Sequence, residues 1–313
     1  MPEQIDDTDR ELLGHLRLSG RKSSKALASE LGVAETTIRA RLRRLAEGSI
    51  MRVTAVTDME AFGHEFLAVA KVRTAGRPAL GVGVDLAQVP ETIGVFVTTG
   101  RYDLMVSMLA RDNIHLATLL GVTIPSVGGV DVVRSELALA VLKYESTYAA
   151  IGTDEFPTEP WAASNRIDEM DLGIVEHLRE DARDSNRSIA ARLGVSEGTV
   201  RYRIRRMESD KVIRIQTVCD VSAFGFMSFA YLGVQVTGPR LNDTATALKD
   251  HPNVPILLRT IGEFELMCVI QATDRQALVD LAAQIGALAD VRRTEVFESL
   301  RSVKHSYTWA KLV

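Results

Sequence analysis

The apolar residues of this chain follow helical spacing first and strand spacing afterwards, and the whole pattern is then written again. Between residues 6 and 18, Leu12, Leu13, Leu16 and Leu18 lie close to helical spacing behind an acidic turn that suits the helix dipole. Ser23 and Ser24 can cap a short second helix carrying Leu27, Ala28 and Leu31, and Gly32 stops it. A third helix is predicted from about Ala34 to Glu47. The spacing Ala28, Gly32, Ile38 suits a helix-turn-helix: a small residue for close approach, a glycine for the left-handed turn, and a branched residue to seat the next helix. The following IMRVTAVTD alternates like a strand, in keeping with a wing or an exit hairpin. From Phe66 the pattern becomes FLAVAKV, a helix at 78–88, TIGVFVTT, YDLMVSMLA, a helix at 112–121 and a strand from about 130 to 142. That β-α-β-β-α-β order is the ferredoxin-like arrangement, with Gly100 in the turn TTGRYD.

Sliding the chain against itself by 162 residues aligns Ile5 with Ile167 and continues ungapped to Gly63 and Gly225, with about 24 of 59 positions identical where chance gives a few. The match runs through LGV at 31 and 193 and AFG at 61 and 223. Pro90 then meets Pro252 and Gly100 meets Gly262, and a gap of about three residues is expected near the end, setting Arg134-Ser135-Glu136 against Arg293-Thr294-Glu295. The spacing Ala28, Gly32, Ile38 returns as Ala190, Gly194, Val200. The predicted organisation is α+β: a winged helix-turn-helix (1–60) and a ferredoxin-like domain (61–147), a linker (148–165) rich in proline and acidic residues, then a second helix-turn-helix (166–222) and a second ferredoxin-like domain (223–313). Trp161 reads equally as an anchor of that linker onto a domain or as a loosely packed aromatic.

Composition narrows the function. The 313 residues carry a net charge of -4, which argues against nonspecific binding to polyanions. No apolar run approaches the roughly 18–20 residues that span a bilayer, and the opening MPEQIDDTD is acidic where a signal peptide would be basic, so the cytoplasm and no membrane partner are expected. Cys219 and Cys268 lack partners at metal or redox spacing and read as small buried hydrophobes. His15 and His177 repeat without neighbouring ligands and read as structural or surface residues, so neither metal nor cofactor is expected.

Positive charge is instead local. Residues 34–52 hold five basic and two acidic side chains, and 196–214 hold six and three, so each segment is +3 within an acidic protein. On a helical wheel Ile38, Leu42 and Leu45 form the buried stripe of TTIRARLRRL. Thr36, Thr37, Ala40 and Arg44 lie opposite, flanked by Arg39 and Arg43 on one side and Arg41 on the other. Short side chains allow close approach to base edges while arginines reach phosphates or guanine, so this face suits the major groove of double-stranded DNA. The second copy offers Ser196, Thr199, Arg201, Tyr202, Arg203, Arg205 and Arg206. Tyr202 replaces Ala40 and Gly198 replaces Thr36, so the two readers should not prefer identical bases.

Taken together, IDDTDRELLGHL and RIDEMDLGIVEHL, LGVAETTIRARLRRLAEGSIMRVTAVTD, the TGRYDLM hairpin and VRRTEVFESLRSVK resemble the Lrp/AsnC (feast/famine) family of transcriptional regulators, twice over nearly the whole chain. The resemblance implies a covalent pseudo-dimer, further association into homo-oligomers through the ferredoxin-like domains, and a small effector such as an amino acid held in clefts between those domains. Carried over from the family, the cleft would use Thr99, Gly100, Arg101, Asp103 and Ser135 in copy one, and Thr260, Gly262, Glu263, Glu265 and Thr294 in copy two. The second hydroxyl of the family's last strand is replaced by Leu137 and Val296, so a buried zwitterion would lack one of the polar partners the family's usual ligand has.

Two other classes compete. Siroheme decarboxylases are similar in fold and are sometimes fused in one chain, but the FPL and THxxER-like stretches associated with them are missing here. An effector-sensing scaffold that has lost its hold on DNA would bind weakly and without regard to sequence. With the arginine-rich helix intact in both copies, the expectation is a regulator and not an enzyme.

Overall fold

The computed structural model describes residues 5–17, 19–145, 148–149, 166–220, 225 and 228–310. Leu18, Trp161, Ala223 and Phe224 lie outside the described residues. Each copy begins with three helices, α1 (Asp7–Arg17), α2 (Ser24–Leu31) and α3 (Glu35–Glu47), repeated as α6 (Glu169–Glu180), α7 (Asn186–Leu193) and α8 (Glu197–Ser209). Ser23 caps α2 through the Ala26 N–H, and Gly32 ends it at φ 65°, in the left-handed region where a Cβ is strained. Ser185 and Gly194 (φ 67°) do the same for α7.

The strand following each third helix is where sequence periodicity stops short. β1 (Met51–Asp58) and β7 (Ile213–Asp220) are strands as the alternation indicates, yet the partner of each lies in the other copy: they pair antiparallel, with Thr54 opposite Gln216. A wing or local hairpin would have kept each reader separate. Here Thr54 Oγ1 donates to the Arg179 carbonyl, and Arg21 and Arg183 reach across to Asn186 and the Gly20 carbonyl. The short strand β12 (Trp309–Ala310) joins β1 in parallel and β6 (Tyr148–Ala149) joins β7, completing a four-stranded sheet. The end of each copy is thereby stitched to the DNA-reading unit of the other.

The ferredoxin-like halves contain β2 (Phe66–Thr74), α4 (Ala79–Ala87), β3 (Thr92–Thr98), β4 (Leu104–Ala110), α5 (Asn113–Thr118) and β5 (Val130–Tyr144) in copy one. Copy two repeats them as β8 (Ser228–Val236), α9 (Leu241–Asp250), β9 (Ile256–Ile261), β10 (Leu266–Ala272), α10 (Arg275–Gly286) and β11 (Val291–His305). The eight strands close into one barrel, ordered β10-β8-β11-β3-β4-β2-β5-β9, through the seams β5–β9 and β11–β3. Each copy's helices cover the outer face of its own strands, over two separate apolar clusters, while a third cluster runs through the barrel interior into both helix-turn-helix units. Lys304 clamps the join by donating to the Ala87 and Val89 carbonyls at the end of α4, and Lys143 reaches the His251 carbonyl beyond α9. Cys219 and Cys268 are buried, as expected of small hydrophobes, and burial pushes the Cys268 thiol up to about 12. Among the described residues no helix is long and apolar enough to cross a membrane.

Candidate nucleic-acid interface and ligand cleft

The reading helices bury Ile38, Leu42 and Leu45 in α3 and Val200, Ile204 and Met207 in α8, as the wheel requires. Thr36, Thr37, Arg39, Ala40 and Arg43 are exposed, as are Ser196, Arg201, Tyr202 and Arg205, with Thr199 half-buried. Tyr202 is 68% exposed, a large aromatic surface for solvent to cover. Ser196 caps α8 by accepting from the Thr199 N–H at 3.0 Å, whereas Ala34 leaves α3 without a side-chain cap. Arg39 pairs with Glu35 at 2.5 Å and Arg201 stands 4.0 Å from Glu197, both surface pairs along the helix that a phosphate can readily displace.

Arg41, Arg44, Arg203 and Arg206 are placed differently from the outward reading. Arg41 lies 2.7 Å from both Asp6 and Asp9, and Arg44 also pairs with Asp9. Copy two repeats this with Arg203 2.7 Å from Asp168 and 2.8 Å from Asp171, and Arg206 on Asp171. Asp9 and Asp171 are fully buried, so each is a carboxylate taken out of water and held by two guanidinium groups. These four arginines clamp the third helix to the first. The wheel misplaces Arg44 because a long side chain leans toward a distant partner that angle alone does not show. The signal was present in the doubled spacing Asp-x-x-Asp and Arg-x-x-Arg, which occurs in both copies. Asp168 also closes a capping box with Asp171 at the start of α6.

This clamp carries a pH prediction. The hydrogen bond from Arg203 lowers the Asp168 carboxyl to about 2, against an ordinary 3.8. A depressed folded-state value means the stabilisation is complete above about 4 and is lost as pH falls toward 2. Acid unfolding followed by circular dichroism should therefore show Asp168→Asn with a flatter pH dependence than the parent between pH 4 and 2; identical curves would remove the clamp from the explanation. Asp171→Ala, which leaves two arginines facing a buried vacancy, should cost about 3 kcal/mol at neutral pH.

The turn residues read as a ligand cleft lie where the two copies meet. A Cβ on Gly100 (φ 113°) would stand 3.4 Å from the Val296 carbonyl, and one on Gly262 (φ 157°) would collide with the Glu136 carboxylate. Thr99 donates its N–H to the Glu298 carbonyl of the opposite copy. Arg101 forms a two-pronged pair with Glu295 (2.9 and 2.8 Å) and also pairs with Glu263, its own counterpart in copy two. Burial pushes Glu263 up, but the Arg101 and Lys71 hydrogen bonds outweigh it and hold its carboxyl below the usual range. Asp103 and Glu265 do not reach the junction; they accept from the Thr74 and Val236 N–H groups and tie each turn to its own sheet.

The sheet register corrects the alignment of the last strands. Glu136 and Phe297 are the fully buried positions of β5 and β11, and Ala138 opposite Thr260 matches Ser299 opposite Thr98. Both place the copies 161 residues apart here, so Ser135 corresponds to Val296 and not to Thr294. Matching the letters RSE to RTE slid the strand by two residues, a shift that preserves inward and outward alternation and so leaves no hydrophobic mismatch to expose it. Ser135 and Thr294 lie on the opposite strand face from Glu136 and Phe297, toward the helix layer, Thr294 beside Gly286 of α10. Likewise Thr260 has Thr98, not Thr99, as its counterpart, each donating to a turn carbonyl.

Sequence reasoning missed Lys71 and Glu136. Both are buried side by side as an ion pair, Lys71 also 3.0 Å from Glu263, while Glu136 accepts from the Glu263 and Phe264 N–H groups at 3.1 and 3.2 Å. Copy two has Gly233 and Phe297 there, and Phe264 occupies the space over Gly233. A lysine inside the otherwise apolar run FLAVAKV was the available signal.

The AsnC-type helix-turn-helix domain matches residues 5–46 and again 167–208, and the Lrp/AsnC ligand binding domain matches 67–148 and 229–309. The chain belongs to the Lrp/AsnC family. It is an Lrp/AsnC-type transcriptional regulator with two DNA-binding and two ligand-binding domains. It is 31% identical to the HTH-type transcriptional regulator FL11 of Pyrococcus horikoshii over 140 residues, 44% of this chain and 92% of that one. It is 32% identical to the HTH-type transcriptional regulator Ptr1 of Methanocaldococcus jannaschii over 140 residues, 44% of this Lrp/AsnC chain and 95% of the relative. The fold of the whole chain is similar to the siroheme decarboxylase NirDL (TM-score 0.68, 14% identity, covering 96% of this chain and 93% of that one). At that identity the likeness is one of fold.

Proposed function

We propose that this Lrp/AsnC regulator binds DNA sequence-specifically as a covalent pseudo-dimer, with two unlike readers recognising an imperfect palindrome. The observation that carries the reading is the pair of exposed faces that share Arg39/Arg201 and Arg43/Arg205 but differ at Thr36/Gly198 and Ala40/Tyr202. Like arginines grip phosphate equally, while unlike centres meet different base edges. Their common β1–β7 strand pair ties one reader to the other, so binding of the first raises the effective concentration of the second. Footprinting of the chain on its own promoter DNA, followed by titration of the two symmetrised half-site duplexes, tests this. Unequal affinities for the two symmetrised sites are expected; equal ones would sink the unlike-reader reading, and weak binding blind to sequence would favour a scaffold.

Domain limits at 60/61, 147/148, 165/166 and 222/223 belong to the same proposal. The effector part is an amino acid or similar zwitterion at the turns, its carboxylate taking Arg101 and its ammonium taking Glu263 or Glu295, in place of the ion pairs these side chains form with one another. Both barrel seams are used within the chain, so homo-oligomers would form through other faces of the ligand-binding domains. A decarboxylase reading draws on the whole-chain likeness to NirDL. Absorbance titration with siroheme separates it from the regulator reading, which expects an unchanged spectrum.

A further inference from the structure

The barrel holds a cavity of about 80 Å³, partly open to solvent, at the end opposite the ligand turns. Its aromatic wall is Phe96, with Phe229 at 5.2 Å, Tyr231 at 5.7 Å and His305 at 5.5 Å between ring centroids. The Ser107 and Tyr231 hydroxyls hydrogen-bond each other at 3.0 Å, and Gln271 also lines the space.

Duplication supplies an internal control. The pseudo-symmetric counterparts of Phe96, Ser107, Phe229, Tyr231 and Gln271 are Leu258, Val269, Leu67, Val69 and Leu109. Those aliphatic residues show what packing alone asks of these positions. The chain keeps aromatic rings, two hydroxyls and an amide at these five positions, around a space that Val269, the counterpart of Ser107, also lines. Burial pushes His305 down to about 4, so it is neutral at pH 7, and Glu145, the charged residue among those lining the space, is exposed and lies 3.5 Å from Lys143.

The walls include both joints between barrel and readers. Glu145 follows β5 and precedes β6 on β7; Ser306 and Tyr307 follow β11 and precede β12 on β1. Tyr307 additionally accepts from Arg52 of β1 at 3.1 Å. Anything seated here presses on the two segments that hold the reader strands.

We propose that this cavity is a second ligand site, separate from the turns, for a small uncharged aromatic molecule bearing one hydroxyl or ring N–H. The ring meets Phe96 and Phe229 edge to face, and the polar edge joins the Ser107–Tyr231 hydroxyl pair or Gln271. A cavity that takes benzene whole measures about 150 Å³, so here a six-membered ring seats by one edge and fills the mouth beside Tyr307 with the other. The effect on operator binding rests on the regulator reading; occupancy of the cavity does not.

Calorimetric titration of the full chain with phenol, benzoate and cyclohexanol tests the site. Phenol is expected to bind saturably, at least about tenfold tighter than benzoate or cyclohexanol, and about tenfold more weakly to Ser107→Val/Gln271→Leu, which installs the residues of the pseudo-symmetric positions. No saturable binding of phenol, or equal binding of all three, overturns the proposal. Should the variant fail to fold, nuclear Overhauser transfer from phenol to the Phe96 and Phe229 rings in the parent decides, its absence counting against the site. A promoter footprint unchanged by phenol, alongside calorimetric binding, refutes only the coupling to the readers; failure to bind DNA both with and without phenol, alongside calorimetric phenol binding, refutes only the regulator reading.

Discussion

Replacing Arg39, Arg43, Arg201 and Arg205 together by alanine is expected to abolish the shift of the chain's own promoter DNA while leaving the fold intact. These four guanidinium groups are exposed, and the partners of Arg39 and Arg201 are surface carboxylates one helical turn away. Their ion pairs contribute little to stability, so the melting temperature should move by no more than a degree or two. Every phosphate left without its guanidinium takes about 0.9 off the slope of log affinity against log salt, so four lower the slope by roughly 3 to 4 and weaken binding by about a thousandfold at physiological salt. Arg41→Ala and Arg203→Ala should behave in the opposite sense, lowering the melting temperature because Asp9 and Asp171 stay buried with one partner fewer. A quadruple variant with the parent's salt slope would remove the exposed arginines from the interface. Mobility shift at three salt concentrations, paired with thermal melts, reads both quantities.

The contrast between these two sets of arginines shows where periodicity stops informing. Four arginines in one decamer look alike to a wheel, and the apolar stripe fixes only the direction of Ile38, Leu42 and Leu45. Whether a guanidinium faces solvent or a buried carboxylate depends on α1, thirty-odd residues earlier in the chain, and the wheel contains no α1. The helix-turn-helix and the ferredoxin-like order were legible because capping serines, Gly32 and Gly194, and apolar alternation are local. The β1–β7 pair and the closed barrel were not, since a strand's alternation states which face is buried and not which strand lies beside it. The turn glycines were found because the positive φ at Gly100 and Gly262 demands them locally. Glu136 escaped notice because the family's two hydroxyl positions, held here by Ser135 and Leu137, flank it on the other face of the strand.

Lys71→Met is expected to be the most damaging single substitution in the ligand-binding halves, costing about 3–5 kcal/mol in denaturant unfolding, because it strands the buried Glu136 carboxylate without its cation. Glu136 also accepts from the Glu263 and Phe264 N–H groups of the other copy, so the strain falls on the seam between copies. The second copy shows that the seam does not require charge: Gly233 and Phe297 stand at the equivalent places, and Phe264 fills the room the glycine leaves. The decisive comparison is Lys71→Met/Glu136→Gln. A glutamine keeps a carbonyl oxygen for one of the two N–H groups and carries no charge, so the double variant should recover most of the loss and remain within about 1–2 kcal/mol of the parent. If instead the two losses simply add, Lys71 stabilises by filling space over the Phe264 ring 4.8 Å away, and the charge pair is incidental. Recovery would mean that the chain maintains two differently built clefts on one barrel, an ionic cleft under turn two and an aromatic one under turn one. A zwitterion entering between Arg101 and Glu263 would then meet unlike walls on its two sides and bind in one orientation.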